Sequence, residues 1–206
     1  MKYTKEQIKE YIKCRDDIEY FANNYIKIIT VTNGIEQITL NETQIEMINA
    51  FKNEQVWYRN YRRQSGKTTG ASIILLHHSI FNEHKTSVIA GYKFAHTNVI
   101  LSKIVDMHNA LPEFLQCRFE KLDKSQMIFD NGSTIKSIGS NSDNVRAMGI
   151  SILYIDESDF VSNVEEIIRC VYPCIRFHNN GKIFAVSSSF SRQFLDFPEL
   201  LEMHNV

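Results

Sequence analysis

The triplet Gly66-Lys67-Thr68 constrains this chain most, because of what stands on either side of it. Upstream, Gln55-Val56-Trp57-Tyr58-Arg59-Asn60-Tyr61 reads as a strand. Downstream, residues 68–81 place Ile73, Ile74, Leu76, His77 and Ile80 in a helical pattern. A strand that turns through a glycine into a helix presents unpaired backbone N–H groups at the helix start, and such an end attracts anions. Gly66 lets the backbone approach phosphate oxygens closely, and the amides of Gly66 to Thr69 form an anion nest. Lys67 adds a charge able to reach β- and γ-phosphates, and Thr68 a hydroxyl able to hold Mg2+. The full pattern G-x-x-x-x-G-K-(S/T) is only partly met, since Tyr61 stands where its first glycine is expected.

The rest of the chain supplies the context such a loop requires. Residues 86–90 form a short apolar strand, and 94–111 a helix stopped by Pro112. Between 118 and 139 the texture changes to short strands, with a hairpin turn at Asn131-Gly132. Residues 151–155 are a buried strand that runs into Asp156-Glu157-Ser158-Asp159. A helix is expected over 164–170, and a further buried strand over 182–186 ends at Ser187-Ser188-Ser189. Spacings near three and four in residues 4–29 suit amphipathic helices packed on the domain. That order predicts an α/β protein with the P-loop NTPase fold of the additional-strand, RecA-like kind: a mostly parallel sheet with helices on both faces. Right-handed crossovers put the glycine-rich and acidic turns at one sheet edge. At 206 residues and 43% hydrophobic content, the chain fits one domain with a full core. We divide it into an N-terminal helical segment at 1–50, a P-loop core at 51–190 and a tail at 191–206.

Several residues carry two readings each. Asp156 and Glu157 end an apolar strand, where a carboxylate needs a cation or water network to satisfy it. Asp156 then suits Mg2+ and Glu157 the attacking water; the alternative is that both cap the next helix. Arg62 and Arg63 are either solvated or paired with carboxylates, or Arg63 points at the γ-phosphate and stabilises transition-state charge. Ser187, Ser188 and Ser189 either couple γ-phosphate loss to movement or form a plain serine-rich turn. Arg146 is a candidate phosphate sensor or a surface arginine. Gln44 offers an amide that could read an adenine edge, though a lone glutamine is most often a surface residue.

Composition excludes some classes. A formal net charge of −1 gives no global positive field for nucleic acid, leaving only a local patch. The four cysteines, Cys14, Cys117, Cys170 and Cys174, show no paired metal-ligand spacing, and Cys170 and Cys174 read as buried thiols. The longest apolar run, Ile73-Ile74-Leu75-Leu76, is far too short for a bilayer, and the charged first residues do not form a signal peptide. The expected setting is a reducing cytoplasm.

The string Arg63-Gln64-Ser65-Gly66-Lys67-Thr68-Thr69 resembles the deviant P-loop of tailed-bacteriophage large terminases, the ATP-driven DNA-packaging motors, which lack the first loop glycine. The likeness continues through Phe21-Ala22-Asn23-Asn24-Tyr25-Ile26-Lys27-Ile28, Gln44, Leu111-Pro112-Glu113-Phe114-Leu115, Asp130-Asn131-Gly132-Ser133, Val145-Arg146 and Tyr154-Ile155-Asp156-Glu157, in the family's order over about residues 20–190. The resemblance implies nucleotide contacts from Arg63, Gln64, Ser65, Gly66, Lys67, Thr68 and Thr69, with 1–50 on the adenine side and Gln44 as its reader. It implies Mg2+ on Thr68 and Asp156, Arg63 as an in-chain arginine finger, Lys67 in catalysis and Glu157 as base. It also implies coupling through Ser187, Ser188 and Ser189, where the family usually has threonines.

The implied function is ATP hydrolysis that drives double-stranded viral DNA into a procapsid, by a homo-oligomeric ring seated on the portal protein and served by the small terminase subunit. The implied location is the host cytoplasm, transiently at the portal, with no membrane partner. There are departures: Arg146-Ala147 replaces the family's Arg-Gly, and Phe190-Ser191-Arg192 follows the serines where Pro-Asn-Gly is common. The family's C-terminal nuclease domain is not expected within 206 residues, which leaves two alternatives: a separately encoded ATPase half with a nuclease chain as a further partner, or a truncated reading frame. Asp156-Glu157-Ser158-Asp159 also matches the acidic box of helicase-like DNA-dependent ATPases. A non-catalytic nucleotide-binding assembly module is the third alternative.

Overall fold

Strands and helices alternate from Val56 to Asn109 and again from Ile152 to Ser187, with three consecutive strands between, and in the computed structural model, which describes residues 3–30, 34–140, 145, 148–176 and 181–188, they build one seven-stranded sheet covered on both faces. In chain order the elements are α1 (Lys5–Asp16), α2 (Ile18–Tyr25), β1 (Lys27–Thr30), β2 (Gly34–Gln37), α3 (Glu42–Asn53), β3 (Val56–Asn60) and α4 (Lys67–Phe81). There follow β4 (Thr86–Gly91), α5 (Phe94–Asn109), β5 (Phe119–Leu122), β6 (Gln126–Phe129), β7 (Thr134–Ile138), β8 (Ile152–Asp156), α6 (Val164–Arg176) and β9 (Lys182–Ser187).

The sheet order is β3-β9-β8-β4-β7-β6-β5. The pairings β3–β9, β9–β8, β8–β4 and β4–β7 are parallel, and β7–β6–β5 is an antiparallel extension. Central parallel strands are buried on both sides, which is why residues 152–155 of β8 and 183–186 of β9 read as unbroken apolar runs. Their side chains still alternate between two cores. Ile152, Tyr154, Phe184 and Val186 face the layer of α1 to α5, whereas Leu153, Ile155, Ile183 and Ala185 face α6. On α6 the buried stripe is Val164, Ile167, Ile168, Val171 and Ile175.

Helix α4 lies at the centre of the first layer, where Ile73, Ile74, Leu75 and Leu76 are fully buried. Gly70 makes that packing close: a Cβ there would stand 3.1 Å from the Met47 sulfur on α3. Strand order and register bring Asn60, Ser187, Asp156 and Gly91, the last residues of four neighbouring strands, to one edge. Because β9 lies between β3 and β8, its end sits between the glycine loop and the acidic pair.

Three local expectations need correcting. The helical reading of 4–29 stops at Tyr25, and Lys27–Thr30 is a strand paired with Gly34–Gln37, because Ile26, Ile28, Ile29 and Thr30 are β-branched residues that favour a pleated surface. The helix expected over 164–170 continues through Pro173 to Arg176, since Val171 and Ile175 prolong its buried stripe. Cys170 and Cys174 are half-buried free thiols rather than buried ones. The Asn131-Gly132 turn joins β6 to β7 as expected, with Gly132 at φ 77°. No helix among the described residues is long and apolar enough to cross a membrane.

Candidate nucleotide site

Helix α4 starts without a side-chain cap, because its N-cap residue is Gly66. In contrast, α1, α2 and α3 are capped by Thr4, Asp17 and Asn41. The first amides of α4 therefore face outward with their donors free of a side-chain acceptor, at the positive end of a fifteen-residue helix dipole. Gly66 holds φ 83°, and a Cβ there would come within 2.7 Å of Gln44 Nε2, so only glycine fits. Gln64, at φ 61°, also takes the left-handed conformation and shapes the approach to the turn.

The loop is clamped from α3. Asn41 and Gln44 form a capping box on that helix, and the same two side chains reach across to the loop. Asn41 Nδ2 donates to the Ser65 carbonyl at 3.0 Å, and Gln44 Nε2 donates to the Gly66 carbonyl at 3.3 Å. Gln44 Oε1 accepts from the Asn41 N–H at 3.0 Å, and the residue is only 4% exposed. The amide that sequence likeness gave to adenine is thus committed to loop geometry, and reading a base would require those bonds to be exchanged.

Opposite the loop, the period of two on β8 decides which carboxylate points where. Asp156 shares the face of Ile152 and Tyr154 and aims at the α4–α5 layer. It is 1% exposed, accepts a short hydrogen bond from the Tyr154 hydroxyl, and lies 2.6 Å from His96 Nε2 on the first turn of α5. A carboxylate only accepts, so His96 Nε2 carries the hydrogen. That bond raises the His96 pKa above its ordinary value. Burial, followed by the Asp156 charge, pushes the Tyr154 hydroxyl well above the usual phenol range and keeps it a donor.

Glu157 leaves the strand in the left-handed region, at φ 47° and ψ 49°, a conformation that costs a non-glycine residue about 1–2 kcal/mol. That turn carries its carboxylate across to Lys67, whose Nζ lies 2.9 Å from Glu157 Oε1. The Ser188 amide donates to Glu157 Oε2 at 3.1 Å, and the Ser188 hydroxyl at 2.9 Å. Local strain held by surrounding bonds is typical of functional positions.

Alternation along the strand also divides the serines. Ser188 follows Phe184 and Val186 onto the site, whereas Ser187 is fully buried and gives its carbonyl to the Tyr61 amide at 2.9 Å. Ser189 and the candidate sensor Arg146 lie outside the described residues, as does the tail at 191–206.

These groups surround an open cleft of about 480 Å3, lined by Arg63, Gln64, Lys67, Glu157 and Ser188 and by three residues the sequence reading missed: Tyr92, His96 and Phe160. Arg63 is exposed and, among the described residues, has no ion-pair partner. The residues fit a phosphate chain: uncapped amides, one buried lysine, and an arginine at the mouth. The oxygen donors of Thr68 and Asp156 fit a hard cation such as Mg2+. No signal near His96 in the sequence marks it, because its partner stands sixty residues away.

A family model described as terminase large subunit, T4likevirus-type, N-terminal matches residues 62–168 of this chain. The fold is similar to the large terminase of bacteriophage HK97, with TM-score 0.67 and 16% identity over 84% of this chain and 37% of that one. It is similar to the large terminase of the thermophilic bacteriophage D6E in complex with ATP-γ-S, with TM-score 0.55 and 9% identity over 72% and 38%. It is also similar to the UvsW helicase of bacteriophage T4, with TM-score 0.60 and 13% identity over 97% and 75%. At these identities the likeness is one of fold. The chain spans little more than a third of the two terminases, 37% and 38%.

Proposed function

The chain belongs to the T4-like family of terminase large subunits, in its N-terminal region, and on that premise we propose that it hydrolyses ATP to move double-stranded viral DNA into a procapsid. The observation that carries this reading is the convergence of Lys67, Glu157 and Ser188 beyond the uncapped start of α4. The D6E terminase, similar in fold, was captured with ATP-γ-S, which supports a triphosphate as ligand.

In this reading the amides of Gly66 to Thr69 bind the β-phosphate, and Lys67 leaves Glu157 for the β- and γ-oxygens. Thr68 and Asp156 would hold Mg2+, which supplies charge neutralisation across the phosphates. His96 and Tyr154 fix the Asp156 carboxylate in place. Glu157, released from Lys67 and still held by Ser188, orients the attacking water and accepts its proton. Arg63 reaches over the cleft mouth to the γ-phosphate and stabilises charge in the transition state. Ser188 touches Glu157 directly, so loss of the γ-phosphate passes into β9 through that contact.

The partners in this account are double-stranded DNA, the portal protein, the small terminase subunit and further copies of the chain in a ring, acting in the host cytoplasm. Residues 1–206 are assigned ATP hydrolysis alone, and DNA cutting falls to a separate segment or chain. A helicase-like DNA-dependent ATPase is the second reading, favoured by the likeness to UvsW. Steady-state ATP hydrolysis with double- and single-stranded DNA, beside a strand-separation assay, distinguishes them. Stimulation by duplex without strand separation is expected. Stimulation by single strands with unwinding selects the helicase, and nucleotide binding with no turnover under any condition selects an assembly module.

A further inference from the structure

Both oxygens of Asp156 are taken by protein donors, and the two donors differ in what they can reach. The Tyr154 hydroxyl, on Oδ1, belongs to a fully buried residue. His96 Nε2, on Oδ2 at 2.6 Å, belongs to a side chain that is 33% exposed and lines the cleft at the glycine loop. The carboxylate only accepts, so the hydrogen of that bond sits on Nε2, and the neutral ring keeps its lone pair on Nδ1. Nδ1 has no hydrogen-bond partner among the described residues. The ring is held from further sides. Its centroid lies 5.3 Å from that of Tyr92, and a Cβ at Gly91, the end of β4, would lie 3.8 Å from His96 Cδ2. The His96 amide, in the first turn of α5, donates to the Lys93 carbonyl at 3.0 Å.

A histidine with one nitrogen bonded to a carboxylate and the other free is the form in which imidazole binds metals. The carboxylate fixes the tautomer and the ring orientation and raises the basicity of the free nitrogen. Among the described residues no three histidine, cysteine, aspartate or glutamate side chains could hold a metal ion by themselves. A cation at His96 therefore needs phosphate oxygens to complete its shell, and it arrives with the nucleotide. Mg2+ keeps to oxygen ligands, whereas transition dications from Fe2+ to Zn2+ also accept imidazole.

We infer that His96 Nδ1 is a nitrogen ligand for a transition dication entering the cleft with the triphosphate, and so extends the site beyond Mg2+. Asp156 orients the ring through Nε2, and the phosphate oxygens and the Thr68 hydroxyl supply the oxygen ligands. Mg2+ makes no use of Nδ1, and with it His96 remains a hydrogen-bond donor to Asp156. This rests on the nucleotide reading above and adds to it which cations that site accepts.

The test measures the affinity of the whole chain and of His96→Gln for Co2+ and for Mg2+, each with β,γ-methylene ATP, which is not cleaved. Titration at about pH 8 keeps proton competition for the ring low. Glutamine keeps an N–H donor for Asp156 and removes the ring nitrogen. Co2+ affinity should fall about tenfold or more, the scale on which lost support of a metal site shows, and Mg2+ affinity should not change. Proton NMR of the wild-type Co2+ complex should show one hyperfine-shifted, solvent-exchangeable imidazole N–H, the Nε2–H bonded to Asp156. That resonance should be absent from His96→Gln. An equal effect on both cations, including none, leaves His96 a positioning group for Asp156 and overturns the ligand assignment. A wild-type Co2+ complex without the resonance overturns it too, whatever the variant does, and in both cases the nucleotide site stands. If wild type binds the analogue with neither cation, the nucleotide reading fails and the inference fails with it.

Discussion

Lys67 Nζ and Glu157 Oε1 lie 2.9 Å apart in a site where their side chains are 9% and 19% exposed. The two groups assigned to phosphate binding and to water activation therefore hold each other. In the proposed reading a triphosphate wins Lys67 from a carboxylate, and in doing so it frees the base. That reading makes substrate binding and activation of Glu157 one exchange of partners, with the Ser188 bonds holding the carboxylate in place.

Removing either partner leaves a charge with little solvent. Lys67→Met should abolish tight ATP binding and lower unfolding stability by about 1–3 kcal/mol, the cost of an uncompensated group. Lys67→Met/Glu157→Gln should recover that stability without recovering binding. Urea unfolding of the four proteins in the cycle checks it; strict additivity of the two single changes would show that the pair does not couple.

Arg63 is exposed, so Arg63→Ala should leave stability within about 0.5 kcal/mol of wild type. Turnover should nevertheless fall by roughly a thousandfold or more if it acts as a finger. Steady-state hydrolysis with ATP saturation curves separates turnover from affinity. A wild-type rate returns Arg63 to a solvated surface role.

Gly66→Ala should damage both loop and fold. The left-handed φ of 83° costs an alanine about 1 kcal/mol, and its Cβ meets the Gln44 amide that holds the loop. Stability should drop by about 1–3 kcal/mol, with loss of tripolyphosphate binding. Gln44→Ala opens space instead, so it should loosen the loop and weaken binding with a smaller loss of stability. Thermal unfolding and titration of both variants test the order.

The buried histidines on α4 predict an acid-sensitive fold. Burial pushes His77 and His78 down to about 4. Their folded pKa values lie below the unfolded value of about 6.5, so the unfolded chain takes up protons first as pH falls. Their contribution is fully present above about pH 6.5 and is lost as pH falls from there toward 4, by up to about 1.4 kcal/mol per pH unit for each histidine. Urea unfolding between about pH 7 and about pH 5 measures the slope. His78→Leu should lower it by up to about 1.4 kcal/mol per pH unit, and an unchanged slope in that variant assigns the protons elsewhere.

Much of this was legible in the residues because strong local signals coincided with the topology. Apolar runs at 152–155 and 183–186 imply doubly buried strands, and a glycine between strand and helix implies an uncapped helix start. Other features had weaker marks. The Asn41–Gln44 capping box announces α3, yet the same two residues clamp the loop 24 and 22 positions later, which local spacing does not reveal. Tyr154 could have been paired with Asp156 from the two-residue period of the strand. His96 could not, because only the β8–β4 pairing brings the start of α5 beside Asp156. The three serines look equivalent in sequence, and only strand alternation shows that Ser188 faces the site while Ser187 is buried.

The most direct test of the central claim is single-turnover ATP hydrolysis with Mg2+ by residues 1–206 and by Glu157→Gln, each with and without duplex DNA. The account predicts that wild type cleaves ATP, and that Glu157→Gln binds it at least as tightly but cleaves it roughly a hundredfold to ten-thousandfold more slowly. Equal hydrolysis by both proteins, or equal loss of binding and cleavage in Glu157→Gln, would contradict it.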